Sequence, residues 1–237
     1  MSEPRSGADP RVGVVIPTLN EESTIAGCLE SVGSDPRIAV VVSDGGSRDR
    51  TLEILATHPA VRLVKGSPGR GIQLNRGSLA VAAPILVFLH ADCRLPAGWV
   101  EAVESGLLDP GTSLLHFTLH TEPTRTAGRW RRRWIRLLDL RSLGFGLPYG
   151  DQGFCVRSAD FGELGGFPEI PLMEDLAFAR ACSRRGAIRR LPLEIRTTAR
   201  RFERRPFRAR LMTAVFPWLF RLGVSPSRLA SWYGEVR

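Results

Sequence analysis

Four short apolar runs, Val12-Gly13-Val14-Val15-Ile16, Ile38-Ala39-Val40-Val41-Val42, Val61-Arg62-Leu63-Val64 and Ile85-Leu86-Val87-Phe88-Leu89, are each followed by a stretch of helical character. Runs this short and this rich in β-branched residues read as buried strands. Strands alternating with helices build a mostly parallel sheet with right-handed crossovers, flanked by helices: an α/β fold. The helices are expected over residues 23–32, 50–57, a small-residue stretch ending at 83, and 97–107, the last with Pro96 near its first position.

The strand ends carry the polar residues. The first run closes on Pro17 and leads into Thr18-Leu19-Asn20-Glu21-Glu22. The second ends in Ser43-Asp44-Gly45-Gly46-Ser47-Arg48-Asp49, and the fourth in His90-Ala91-Asp92. Open α/β sheets bind ligands outside the carboxyl ends of their strands, so these residues should converge on one edge. Asp44 has two readings: turn chemistry before a helix, or an acceptor for a base or ribose. The turn after the first strand lacks glycine, which excludes the dinucleotide fingerprint of a dehydrogenase. It also lacks the glycine-rich, arginine-bearing loop a nucleotidyltransferase would close on a triphosphate. The stretch from Gly66 to Gly77 fits neither phosphate-binding pattern. On spacing it reads as a flexible loop in which Arg70 could meet phosphate.

A chain of 237 residues fits one α/β domain. Its net charge is +9 with Lys65 as the single lysine, which favours anionic partners. A basic nucleic-acid-binding module would satisfy that charge, but acids gathered at strand ends argue against one. Four scattered cysteines without a C-x-x-C pair or a leader point to a reduced, cytoplasmic setting. No apolar run approaches the roughly 18 residues of a membrane span, so the chain is expected not to cross a bilayer.

The second half changes character. Residues 114–120 alternate like a half-exposed strand whose His116 and His120 meet solvent or satisfied neighbours. Residues 124–143 turn helical, setting Trp130 and Trp134 against Arg129, Arg131, Arg132, Arg133 and Arg136. That run is a solvated basic face or an anchor on acidic lipid. A glycine-rich loop over 144–153 precedes a short strand at 154–156 and a helical segment from Ala159. Gly165-Gly166-Phe167 then leads to Glu174-Asp175, which open a helix to Arg185. These two acids complement the helix dipole or supply a general base. A strand at 193–197 follows. An amphipathic helix through Phe207, Leu211, Val215, Trp218, Leu219 and Leu222, bent at Pro217, then covers the core or sits on a membrane.

Taken in order, Val14-Val15-Ile16-Pro17-Thr18-Leu19-Asn20-Glu21-Glu22, Val42-Ser43-Asp44-Gly45-Gly46-Ser47-Arg48-Asp49-Arg50-Thr51, Ala91-Asp92, and Gly165-Gly166-Phe167 with Glu174-Asp175 resemble the family 2 glycosyltransferases of the GT-A fold. The resemblance covers roughly residues 12–202. It implies a GT-A domain with a nucleotide-sugar-binding half at 12–108 and an acceptor and catalytic half at 109–202, between a loose N-terminus at 1–11 and an amphipathic extension at 203–237. It further implies inverting transfer of one sugar from a nucleotide-diphosphate sugar. Pro17, Thr18, Asn20, Glu21, Asp44 and Gly45 would hold the nucleoside. Asp92 would ligate Mn²⁺ or Mg²⁺ on the diphosphate, with Arg70 or Arg201 adding positive charge. Asp175 would deprotonate the acceptor with Glu174 in support, and Gly150, Asp151 and Gln152 would face the acceptor.

Two departures stand out. His90 replaces the first acid of the family's D-x-D, so the metal rests on Asp92 and could recruit Asp151 or His90. The Q-x-x-R-W of polymerising members appears only as Thr198-Ala199-Arg200-Arg201-Phe202, which argues against a processive synthase. The Gly150-Asp151-Gln152 triplet and the closing Gly223-Val224-Ser225-Pro226 with Trp232-Tyr233 are similar to a small bacterial subgroup labelled arsenosugar-biosynthesis glycosyltransferases. The expected acceptor is a small soluble molecule, and the alternative is a polyprenyl phosphate or other lipid reached from a peripheral position on an acidic membrane.

Overall fold

The computed structural model describes residues 9–123, 146–199 and 215–233. The first half follows the alternation in its sequence: β1 (Val12–Thr18), α1 (Ile25–Val32), β2 (Ile38–Asp44), α2 (Thr51–Ala56), β3 (Val61–Lys65), α3 (Arg70–Ser78) and β4 (Ile85–Phe88). β1 pairs in parallel with β2 and β4, and β2 with β3. Then come β5 (Cys93–Arg94), α4 (Trp99–Gly106), β6 (Thr112–Glu122), β7 (Phe154–Arg157), α5 (Ser158–Glu163), α6 (Glu174–Arg185) and β8 (Ala187–Thr198). All eight strands join one sheet in the order β3-β2-β1-β4-β7-β6-β8-β5. β7 runs antiparallel to β4 and β6, and β5 antiparallel to β8, while β6 and β8 are parallel. The fold is therefore the expected GT-A-type α/β arrangement.

Apolar residues fill both faces of the central strands because neither face meets solvent. On one side Val14, Ile16, Val87, Leu89, Leu115 and Phe117 pack against α1 and α4 through Leu29, Trp99 and Val103. On the other, Val15, Leu86, Phe88 and Phe154 meet α3, α5 and α6 through Leu74, Phe161 and Phe178. This second layer is aromatic: the Phe167 and Phe178 ring centroids lie 4.4 Å apart, and Phe88 meets Phe167 edge-on at 4.8 Å. A third, smaller cluster sets Phe216 and Leu229 of the C-terminal segment on Tyr149, Leu172, Met173 and Leu176.

Three expectations are corrected. The stretch expected to be a flexible loop, Gly66 to Gly77, is helical from Arg70. Its stripe is polar at the N-terminal end, Arg70 and Gln73, so no apolar periodicity announced it. That helix ends at Ser78 instead of Ala83, since the approach to Pro84 disfavours helical backbone. β8 begins at Ala187, well before residue 193. Pro192 and the charges at Arg189, Arg190 and Glu194 mask its alternation, and the register against β6 shifts at Pro192, where a proline cannot donate to the ladder. The Trp130–Trp134 stretch and Arg201 lie outside the described residues. So does the amphipathic stretch before residue 215, and with it any bend leading into Pro217.

Candidate functional site

The first two motifs lock into each other. Asn20 donates its amide to Ser47 Oγ at 2.9 Å, and its side-chain oxygen accepts the Arg48 amide at 2.8 Å. The Glu21 amide donates to Thr51 Oγ1 at 2.8 Å, the Glu22 amide to Asp49 at 3.1 Å, and the Arg50 amide returns to the Glu22 carboxylate at 3.1 Å. Burial pushes the Asp49 carboxyl up, but bonds from the Thr51 hydroxyl and amide and from the Glu22 amide outweigh it and leave the group below its ordinary range. Asp44 is buried at the end of β2. Its carboxylate accepts the Gly46 and Ser47 amides at 2.8 and 3.0 Å, the Ser47 hydroxyl at 2.5 Å and the Thr18 hydroxyl at 3.3 Å. Of its two readings, turn chemistry is the one these bonds display.

α3 fastens this edge from one side. Gln73 is buried and donates to the carbonyls of Thr18 and Ser43, both at 2.8 Å. Arg76 donates to the Asp44 carbonyl at 2.8 Å. Asn75 exchanges two hydrogen bonds with Phe167, at 2.8 and 2.9 Å, tying α3 to the Gly165-Gly166-Phe167 turn. The approach is close: a Cβ on Gly71 would stand 2.6 Å from the Pro168 carbonyl oxygen.

Between these elements lies a cavity of about 410 Å³, lined by Pro17, Thr18, Glu21, Arg70, His90 and Glu174 among others. At its floor Arg70 Nη1 donates to Glu174 Oε1 at 2.8 Å. The Glu174 side chain is 3% exposed and the Arg70 side chain 32%. Glu174 beside it holds the Arg70 guanidinium firmly charged. Burial pushes the Glu174 carboxyl up while Arg70 pulls it down. Asp175, the next residue, is half-buried and oriented by amides: Oδ2 accepts the Gly150 amide at 2.9 Å and Oδ1 the Leu176 amide at 2.8 Å. Asp175, His90 and Gly150 meet at a narrower recess, where a Cβ on Gly150 would approach His90 Nε2 to 3.0 Å. Among the described residues two non-glycine residues have left-handed backbone, Asn20 (φ 58°) and Met173 (φ 68°), and each immediately precedes a cavity acid, Glu21 and Glu174. Strain of this kind persists where surroundings enforce it.

The chain matches the family model described as glycosyl transferase family 2 over residues 13–164. The chain belongs to glycosyl transferase family 2. It is 34% identical to an uncharacterised glycosyltransferase of Mycobacterium tuberculosis over 108 residues, 46% of this chain and 48% of the relative. It is 30% identical to glycosyltransferase AglE of Haloferax volcanii over 116 residues, 45% of this chain and 38% of the relative. The chain thus spans about half or less of the curated relatives' length. The mannosyltransferase PcManGT of Pyrobaculum calidifontis, solved with GDP-Man and Mn²⁺, superposes with a TM-score of 0.65 at 21% identity, over 98% of this chain and 71% of the other. TarS of S. aureus, solved with UDP-GlcNAc, does so at 0.61 and 18% identity, over 79% of this chain and 58% of the other. These likenesses show the fold.

In this family 2 member the acid after β4, Asp92, lies near two buried thiols. Burial, then the charge of Asp92, pushes both Cys28 and Cys93 up, with Glu21 adding to the first and Asp151 to the second. Among the described residues no three His, Cys, Asp or Glu side chains form a self-sufficient metal cage. A cation shared with a diphosphate needs only one or two protein ligands, and the residues that would hold one here are Asp92 and His90 in the same turn.

Of the residues singled out in the sequence, Pro17, Thr18, Glu21, Arg70 and Glu174 share the main cavity, and Asp175 and Gly150 share the adjoining recess. Gln152 is buried, with its side-chain nitrogen donating to the Phe117 carbonyl at 3.3 Å and lying 3.2 Å from His116 Nδ1, and its side-chain oxygen accepting the Tyr149 amide at 2.9 Å. Burial holds His116 below its ordinary pKa. Sequence reasoning missed Gln73 and Asn75; the three-residue spacing of Gln73 from Arg70 was a signal for the first, and the second had none.

Proposed function

We propose that the chain transfers a single sugar, with inversion, from a nucleotide-diphosphate sugar to one hydroxyl of a small acceptor. The observation that carries this reading is the gathering of strand-end residues from β1 and β4, Arg70 and Glu174 around one cavity sized for a nucleotide sugar, with Asp175 in the recess that adjoins it at His90, Arg70 and Glu174. Pro17, Thr18, Asn20, Glu21 and Gly45 form the nucleoside side, and Asp44 fixes the turn on which it rests. Asp92 with His90 would hold Mn²⁺ or Mg²⁺, which neutralises charge on the leaving diphosphate. Arg70 lies on the diphosphate side and adds to that neutralisation.

Asp175 is the base. It takes the proton of the acceptor hydroxyl as the oxygen bonds to the anomeric carbon. The bond from that carbon to the diphosphate breaks, and the nucleoside diphosphate leaves with the electron pair. Attack from the face opposite the leaving group inverts the centre. Glu174 differs from its neighbour because it is spent on Arg70, so its support is positional. The Gly150-Asp151-Gln152 triplet and the closing Gly223 to Pro226 turn favour the arsenosugar-biosynthesis subgroup within the family, with a small acceptor at the Asp175 recess.

Calorimetric titration with UDP, GDP, CDP and dTDP, with and without Mn²⁺, tests the donor site. One nucleotide should bind and gain affinity with the metal. Asp92→Ala should lose that metal-dependent gain while Asp175→Asn keeps it. Failure of all four nucleotides to bind would reject the reading.

A further inference from the structure

We infer that the face of the molecule beside the Asp175 recess docks on an anionic lipid surface through Trp218, Leu222 and Trp232, flanked by Arg221 and Arg228. The inference rests on the proposed transfer reaction only in calling that recess the acceptor side.

Residues 215–221 are helical, and one side of this segment is already used: Phe216, Leu219 and Phe220 join Tyr149, Leu172, Met173 and Leu176 in the third apolar cluster. The other side is apolar too. Val215, Trp218 and Leu222 recur at intervals of three and four, one face of a helix, and are 38%, 54% and 79% exposed. Trp232, in the helix Pro226–Tyr233, is 56% exposed. A tail that only covered the core would put polar residues on that outer face.

Charge identifies the occupant. Between residues 200 and 237 there are nine arginines and two acids, and between 124 and 145 seven arginines and one acid. The chain carries +9 in all, so the remainder is net negative. Four of the five tryptophans, Trp130, Trp134, Trp218 and Trp232, fall in the same two stretches. Arginine with tryptophan and leucine is the composition of a segment lying in the interface of an anionic bilayer. A polyanion such as RNA would be served by the arginines alone and gives no role to exposed Leu222.

The described residues on either side of these stretches lie close together. Glu122 and Thr198 are paired at the ends of β6 and β8, and the Ala199 amide donates to the Glu122 carbonyl at 3.0 Å. Leu147, Tyr149 and Phe216 meet in the third apolar cluster. That cluster contains Leu172, Met173 and Leu176 around the start of α6, so it is built beside Asp175.

The test is sedimentation of the full chain with vesicles of phosphatidylcholine alone or with roughly one third phosphatidylglycerol. Binding should be at least about tenfold stronger to the anionic vesicles and weaken as salt rises. The triple variant Trp218→Ser, Leu222→Ser, Trp232→Ser leaves the charge unchanged and should lose about tenfold of that binding. Its nucleotide titration should match the parent, which shows that it folds, and Trp232→Ser alone should show a smaller loss in the same direction. Absence of binding to anionic vesicles overturns the inference. Undiminished binding by the triple variant also overturns it, assigning the arginines to a soluble polyanion, with competition by RNA as the check. Vesicle binding needs no donor. A protein that sediments but ignores all four nucleotides would therefore overturn the transfer reading alone.

Discussion

The two walls of the cavity are built by different means. The wall from β1, β2 and α3 is a mesh of hydrogen bonds between neighbouring loops, in which each motif residue satisfies a backbone group of the other motif. The wall from α6 and the Gly150 turn is held by a buried ion pair, an aromatic layer and two amide bonds to Asp175. A mesh spreads its stability over many modest bonds, each worth about 1 kcal/mol net. An ion pair concentrates it in two groups, either of which is expensive to orphan. The first wall should therefore tolerate single losses and the second should not.

The largest effect expected is on chemistry. Asp175→Asn keeps the shape and removes the base, so transfer should fall by about a thousandfold, measured with the cognate donor and acceptor, while nucleotide affinity holds. A smaller fall would mean that another group in the recess takes the proton.

Next comes the ion pair, where the two partners should differ. Arg70→Ala leaves a nearly inaccessible carboxyl without its cation and should cost about 3 kcal/mol in urea unfolding at neutral pH. Glu174→Gln leaves an arginine one-third exposed, which can turn to water, and should cost about 1 kcal/mol. The pH dependence follows from the direction of the Glu174 shift. Burial raises its carboxyl above the unfolded value, so stability is present when the group is protonated and is lost as pH rises through the folded-state pKa. With Arg70 gone nothing opposes that rise, and the deficit of Arg70→Ala against the parent should shrink at about pH 5 compared with neutral pH. A deficit that does not change with pH would show that packing, not charge, joins the two residues.

The smallest effect tests the mesh. Thr51→Val removes the acceptor of the Glu21 amide and one donor to Asp49, and should cost about 1–2 kcal/mol, with nucleotide affinity falling only a few fold. A loss as large as that of Arg70→Ala would erase the distinction between the walls.

The same contrast explains what the sequence disclosed. β1 to β4 were legible because each is a short apolar run closed by polar residues, and their order placed Thr18 and Asp44, partners in the sheet register, on one edge. The pairing of the first two motifs was legible as a pattern but not as a mechanism, since Thr51 and Ser47 act on backbone groups about thirty residues away or less. α3 was hidden because its contacts are polar: Arg70, Gln73 and Arg76 recur every three residues where apolar side chains would normally mark a helix, and Asn75 reaches the Phe167 turn from another side. β8 was hidden by Pro192 and its charges. Nothing local indicated that β6 and β8 would lie side by side in parallel, or that Glu174 would find Arg70 from 104 residues away.

The placement of β5 governs when the site can exist. After Asp92 the chain leaves the middle of the sheet and pairs Cys93 and Arg94 with Thr197 and Arg196 of the last strand. The turn bearing His90 and Asp92 is thus pinned from behind by a segment synthesised roughly a hundred residues later, a long-range closure of the kind that slows folding. A nascent or C-terminally shortened chain can assemble β1 to β4 and still lack a fixed Asp92. Competence to bind a donor would then arrive in one step with the last strand, and a bound donor would in turn restrain the far edge of the sheet against fraying.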